Sequence, residues 1–134
     1  MSNIVELLLI DDDATTLFIH EKILGKCTIN FPHKTFSNGL DCLNYMEAKN
    51  SPEQNFILFL DINMPQIDGW RLLELIKEKN FKSKSLAIMA TSSIDTQDKE
   101  KSKQYDSVIH FFEKPLTLEA CEKLASLPQI AALS

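Results

Sequence analysis

The chain has 134 residues, with 14 Lys+Arg against 19 Asp+Glu for a formal net charge of −5. That length suits one domain with a single core, and 44% hydrophobic with 25% charged residues excludes a wholly disordered, collagenous or fibrous chain. The acidic balance argues against a binder of nucleic-acid backbone, and no run approaches the roughly 18 apolar residues of a bilayer span.

The first apolar run, residues 6–10 (ELLLI), ends at Asp11. The stretch before it lacks the basic region and small-residue cleavage site of a signal peptide, so a cytoplasmic protein with neither membrane nor nucleic-acid partners is expected. Residues 15–26 follow as a helix carrying Leu17, Phe18, Ile23 and Leu24. The second run, 28–36, is weaker and interrupted by Pro32. Residues 40–49 form the next helix, with Leu43 and Met46 inward. The third run, 56–60 (FILFL), ends at Asp61. Residues Gly69–Lys79 place Leu72, Leu73 and Ile76 on one stripe, with Glu74, Lys77 and Glu78 off it. The fourth run, 86–90 (LAIMA), ends at Thr91. A helix over 94–105 has apolar side chains only at its two ends, which makes it one of the less stable elements. The fifth run, 108–112 (VIHFF), precedes Lys114-Pro115. A last helix over 118–127 pairs Cys121 with Leu124 and Ala125, leaving a short tail over 128–134.

Runs one, three and four are continuously apolar rather than alternating, as strands covered on both faces must be. Strands alternating with helices build a parallel sheet with right-handed crossovers and two helical layers. The expectation is one α/β domain, a (βα)5 doubly wound sandwich with its core over about 5–127. Cys27, Cys42 and Cys121 form no CxxC pair, so they are expected as unpaired thiols rather than a zinc or redox site.

The polar residues are placed informatively. Asp11, Asp61 and Thr91 each end a strand, and Lys114 lies just beyond one. Open α/β sheets bind ligands outside the carboxyl ends of their strands, where the strand order reverses. With order 2-1-3-4-5 that crevice falls between strands one and three, and Asp11, Asp12 and Asp61 face one another across it. Carboxylates so close repel unless a cation neutralises them. An all-oxygen set with few protein ligands suits Mg²⁺ rather than a calcium cage. His20, His33 and His110 show no metal-ligand spacing with the cysteines or with each other, which argues against a transition metal. Lys114 supplies a point charge for phosphate, and Thr91 a hydroxyl. A carboxylate, Mg²⁺, a lysine and a hydroxyl make a phosphoryl-transfer site, in which an Asp can itself be the nucleophile. Asp61, ending the central run, is the candidate.

LLLIDDD (7–13), DINMPQIDGW (61–70), IMATSS (88–93) and FFEKP (111–115) together resemble the receiver domain of two-component response regulators, over about 5–127. The resemblance implies a flavodoxin-like fold with a five-stranded parallel sheet in the order 2-1-3-4-5. It implies that Asp61 accepts a phosphoryl group from a histidine kinase or histidine phosphotransfer protein. Asp12 would bind Mg²⁺ directly, Asp11 mainly through water, Asp61 as the phosphorylated ligand and Asn63 through its backbone carbonyl. Lys114 would pair with the phosphoryl group, Thr91 and Phe111 would be the switch pair, and Lys114-Pro115 would be a cis peptide. Asp13 has no family role and is expected as a solvated loop residue. The stretch before the fifth run lacks the Ala-rich helix and glycine common in the family, which affects the surface of the fourth helix.

The reading is therefore a signalling switch that catalyses only its own phosphorylation and dephosphorylation and changes its helix4–strand5–helix5 face for an unknown downstream protein. The alternatives are a phosphorelay intermediate and a receiver cut from a hybrid histidine kinase. A phosphohydrolase with an Asp nucleophile usually carries a second Asp two residues on, where this chain has Asn63.

Overall fold

Apolar side chains at every position leave a strand no face for water, and the runs without alternation occupy the middle of the sheet. In the computed structural model, which describes residues 4–134, five parallel strands align in the order β2-β1-β3-β4-β5. They are β1 (Ile4–Ile10), β2 (His33–Phe36), β3 (Gln54–Asp61), β4 (Lys84–Thr91) and β5 (Val108–Glu113). Central β3 is buried at every position. The edge strands are largely exposed in β2 and half-buried in β5.

The helices are α1 (Ala14–Leu24), α2 (Gly39–Ala48), α3 (Gly69–Lys79), α4 (Thr96–Ser102), α5 (Leu118–Ala125) and α6 (Pro128–Ala131). The two-residue period of the strands sorts their side chains into two cores. On one face Leu8, Ile10, Leu58, Leu60 and Met89 pack with Leu43, Met46, Leu72 and Leu73 of α2 and α3. On the other, Leu7, Leu9, Ile57, Phe59 and Ile88 meet Leu24, Cys121 and Leu124 of α1 and α5. This is the doubly wound, flavodoxin-like arrangement expected.

Helix starts are marked by short polar side chains that accept otherwise unpaired amides. Asn38 accepts from the Asp41 amide at 2.8 Å, Asp68 from Arg71 at 2.8 Å and Asp95 from Asp98 at 2.8 Å. Asp13 does the same for α1, accepting from the Thr15 amide at 3.0 Å. It is exposed and outside the helix, as expected of a solvated loop residue, and the capping role adds to that reading.

Four expectations are corrected. The second strand is confined to His33–Phe36, because Pro32 has no amide to offer a ladder. Helix α4 spans Thr96–Ser102 rather than 94–105 and has no buried residue, so nothing packs its ends into a longer helix. The segment after 127 is not an idle tail: α6 turns back and buries Ile130. In α1 the inward positions are His20 and Leu24, while Phe18 is 59% exposed.

Candidate functional site

Register brings the site together. Ile10 pairs with Leu60, so the next residues, Asp11 and Asp61, stand abreast at the carboxyl ends of β1 and β3. Asp61 pairs with Ala90 and Thr91 with Glu113, which brings Thr91 and then Lys114 to the same end of the sheet. The ladders continue past the strand ends. Asp11 donates its amide to the Phe36 carbonyl at 3.1 Å, Ile62 to Ala90 at 2.9 Å, and Lys114 to Thr91 at 2.8 Å. Each functional side chain therefore leaves a backbone that hydrogen bonding already holds.

The carboxylates of Asp11, Asp12 and Asp61 offer oxygens that all lie within 4.8 Å of one another. Asp11 and Asp61 are buried, at 2% and 1% exposed, while Asp12 faces solvent. One cation is shared between the buried pair: the Lys114 ammonium lies 3.1 Å from Asp11 Oδ2 and 3.1 Å from Asp61 Oδ1. Asp11 Oδ1 also accepts from the Asp13 amide at 2.9 Å, and Asp61 Oδ1 from the Asn63 amide at 3.2 Å. Asp61 Oδ2 is buried and has no partner. Three carboxylates thus lie beside one ammonium, which reaches only Asp11 and Asp61, and one buried oxygen accepts nothing.

The protonation equilibria follow. Burial, followed by the negative field of Asp11, pushes the Asp61 carboxyl up from 3.8 to about 6, against the pull of Lys114. Burial alone would lower Lys114, but its contacts with Asp11 and Asp61 outweigh that and raise it, so it stays an ammonium. An unsatisfied, all-oxygen donor set with excess negative charge fits a hard divalent cation of the Mg²⁺ type. Among the described residues no other cluster of three or more acidic, histidine or cysteine side chains has this proximity.

The remaining expected residues surround this centre. Thr91 is 2% exposed, and its hydroxyl is turned into its own loop, donating to the Ser93 carbonyl at 3.2 Å and accepting from the Ser93 amide at 3.3 Å. Phe111 pairs with Met89, two residues short of Thr91, and is half-buried against the α2–α3 side of the core. A cavity lies beside it, lined also by Ile94, Lys99 and Ser102. The Lys114-Pro115 peptide is cis, as expected.

The β3–α3 loop is tightly constrained. Gly69 donates to the Ile62 carbonyl at 3.0 Å, and a Cβ there would sit 2.6 Å from the Asp61 carbonyl oxygen. No side chain fits so close to backbone. Gln66 has φ 67°, and the Ile67 amide donates across it to the Pro65 carbonyl at 2.8 Å, closing a three-residue turn.

One neighbour of the site was not picked out from sequence. His20 is 3% exposed, and its Nε2 accepts from the Leu116 amide at 3.2 Å, just past Lys114-Pro115. The available signal was spacing: Leu17, His20 and Leu24 fall at i, i+3 and i+7, the inward stripe of a helix.

Comparison with known proteins agrees with this geometry. The chain is 27% identical to the chemotaxis protein CheV2 of Helicobacter pylori over 118 residues, which is 88% of this chain and 37% of that protein. It is 28% identical to the two-component response regulator ARR22 of Arabidopsis thaliana over 115 residues, 85% of this chain and 76% of that one. The crystal structure of a two-component response regulator from Cytophaga hutchinsonii superposes with TM-score 0.77 at 29% identity, covering 97% of this chain and 98% of that chain. The chain thus spans little more than a third of the length of CheV2. Residues 7–125 match the family model for the response regulator receiver domain, and the chain belongs to that family.

Proposed function

We propose that the chain is a phosphorylation-controlled switch in which Asp61 accepts a phosphoryl group from a histidine kinase or histidine phosphotransfer protein, in a Mg²⁺-dependent reaction. Receiver domains are the signalling switches of two-component systems, and those with an acidic pocket bind Mg²⁺. The observation that carries the reading is the buried, unpartnered Asp61 Oδ2, set among three carboxylates and one lysine.

Asp11, Asp12, Asp61 and the Asn63 backbone carbonyl would hold the metal. When bound, it supplies the positive charge that lets phosphoryl oxygens approach a site rich in anions. The Asp61 carboxylate attacks phosphorus, a new O–P bond forms, and the bond to the donor's imidazole nitrogen breaks. Lys114 keeps its proton throughout and offsets the negative charge that the phosphoryl group brings, roughly −1.5 to −2. The Thr91 hydroxyl leaves Ser93 to donate to a phosphoryl oxygen. Phe111 then turns into the space released, and the face made by α4, β5 and α5 changes shape. The cavity beside Phe111 and the absence of any buried side chain on α4 support that motion.

Mass spectrometry of the intact chain after incubation with acetyl phosphate, with and without Mg²⁺, tests the proposal. One Mg²⁺-dependent phosphoryl adduct, absent from Asp61→Asn, is expected. An adduct that persists in Asp61→Asn assigns the wrong nucleophile. No adduct in the presence of Mg²⁺ refutes acceptance from this donor. Transfer of the label onward to a phosphotransfer protein distinguishes a relay intermediate from a terminal effector.

A further inference from the structure

The Lys114 ammonium is held between Asp11 and Asp61, 3.1 Å from each, and the backbone that carries it has few tethers. Upstream, the Lys114 amide is bonded to the Thr91 carbonyl at 2.8 Å. Pro115 has no amide. Downstream, the next amide belongs to Leu116, which is 2% exposed, and its acceptor is not backbone but the imidazole of His20 on α1, at 3.2 Å. Beyond that the chain enters α5, capped by Thr117 accepting from the Ala120 amide at 3.1 Å.

His20 is itself fixed. It is 3% exposed and stands edge-on to Phe112, with ring centroids 5.5 Å apart and planes at 70°. Phe112 in turn packs on Phe59 of β3, at 5.6 Å. The ring can accept from Leu116 at Nε2 only in the neutral form protonated at Nδ1. Burial pulls its protonation down, Asp11 opposes this and Lys114 adds to it, so the neutral form prevails. Those two are the charged groups that act on the ring, from the ends of β1 and β5. A buried amide left without an acceptor costs about 1–3 kcal/mol, so the segment would move to satisfy it if the ring were gone.

We infer that His20 is a positioning residue for Lys114: by accepting the Leu116 amide it ties the Lys114-Pro115-Leu116 segment to α1 and sets where the ammonium sits. The inference rests on the phosphoryl-acceptor reading of Asp61. His20 makes its hydrogen bond to the Leu116 amide and not to a carboxylate of the pocket, so its removal reaches the pocket through Lys114.

The test has two parts. In ¹⁵N-labelled chain, a through-hydrogen-bond coupling between the Leu116 amide nitrogen and His20 Nε2 is expected. Its absence, with the proton found on Nε2, overturns the inference and needs neither phosphate nor a variant. Second, phosphorylation by acetyl phosphate and Mg²⁺ affinity are measured for wild type, His20→Leu and His20→Gln. The Leu side chain fills the space without an acceptor, whereas Gln places an oxygen near the Nε2 position. His20→Leu should be phosphorylated about tenfold more slowly, since displacements of an ångström at a reacting centre cost that much or more. Its Mg²⁺ affinity should not fall, since no carboxylate is removed and a displaced ammonium competes less for Asp11 and Asp61, and His20→Gln should recover most of the rate. A wild-type rate in His20→Leu, a Gln variant as slow as Leu, or Mg²⁺ binding lost in parallel with the rate each overturns it. If wild type itself takes no phosphoryl group, acceptance from acetyl phosphate fails, and the Lys114 ¹³Cε signal decides positioning instead. It should shift in His20→Leu and hold in His20→Gln. Should His20→Leu not fold, the coupling and the Gln variant carry the decision.

Discussion

Asp61 is strained when no metal is bound, and that strain is measurable as stability. Its carboxyl titrates at about 6 in the folded chain against 3.8 for an ordinary aspartate, because burial and Asp11 disfavour the charge more than Lys114 favours it. A group raised on folding binds its proton more tightly in the folded state, so its contribution is favourable at low pH and is lost as pH rises through the folded value. The displacement corresponds to about 3 kcal/mol at full ionisation. In chelator, Asp61→Asn should therefore be about 2–3 kcal/mol more stable than wild type near pH 8, since the amide keeps the shape and drops the charge. Acidification should recover about half of this difference by about pH 5, as wild type takes up its proton.

The assay is urea unfolding of both chains across that pH range, read as the difference in midpoint at equal slope. Mg²⁺ should close the gap from the other side, adding roughly 2.7 kcal/mol to wild type at a hundred times its dissociation constant and much less to the variant. An Asp61→Asn chain less stable than wild type near pH 8, or one whose advantage ignores pH, refutes the claim that the pocket holds uncompensated charge.

The constrained loop and the other unpartnered buried atom give further expectations. Gly69→Ala drives a Cβ against the Asp61 carbonyl and should cost about 1–3 kcal/mol in denaturant unfolding, as overpacking does. It should also weaken Mg²⁺ binding, because the contact displaces the Asp61 backbone. Gln66→Gly should stabilise by about 1 kcal/mol, since φ 67° is unfavourable for a side chain. Ser83 Oγ, like Asp61 Oδ2, is buried with no partner, so Ser83→Ala should raise the melting temperature slightly or leave it unchanged.

The parts of the fold that could be read from sequence are those with one dominant physical cause. The unbroken apolar runs 56–60 and 86–90 are what strands covered on both faces require, and Gly69–Lys79 has its cap, Asp68, just before it and a clean apolar stripe. The site was legible because polar residues suited to phosphate chemistry end several strands at once, at the edge where open α/β sheets bind ligands. Asp11, Asp61, Thr91 and Lys114 do converge at one end of the sheet. Reading faltered where a residue's task depends on a distant segment. From sequence Phe18 counts with the apolar residues of the first helix and His20 is weighed only as a metal ligand, yet Phe18 is exposed and His20 is buried on the Leu116 amide. Ile130 follows a proline in a short tail, and only the proximity of α5 gives it a place to be buried.

The same distinction explains where the molecule is stiff and where it can move. The carboxylates and Lys114 leave strands whose ladders continue past their ends, so backbone hydrogen bonds preorganise much of the acidic pocket. Helix α4 has the opposite construction. It buries nothing of its own and is held through aromatic contacts around its C-terminal end: Tyr105 stacks on Trp70 at 5.6 Å and donates to Glu74 at 2.7 Å, while the Lys101 ammonium lies 5.5 Å over the indole. Both Trp70 and Glu74 belong to α3, which starts at Gly69, the residue pressed against the Asp61 carbonyl. Its other end begins just past the Thr91–Ser93 turn. A helix tethered at one end to the element beside Asp61, and joined at the other to the turn that holds the Thr91 hydroxyl, has few buried contacts to resist a tilt. In the proposed switch this is the element that a charge change at Asp61 would bias, whereas central β3, buried at every position, is held from both sides.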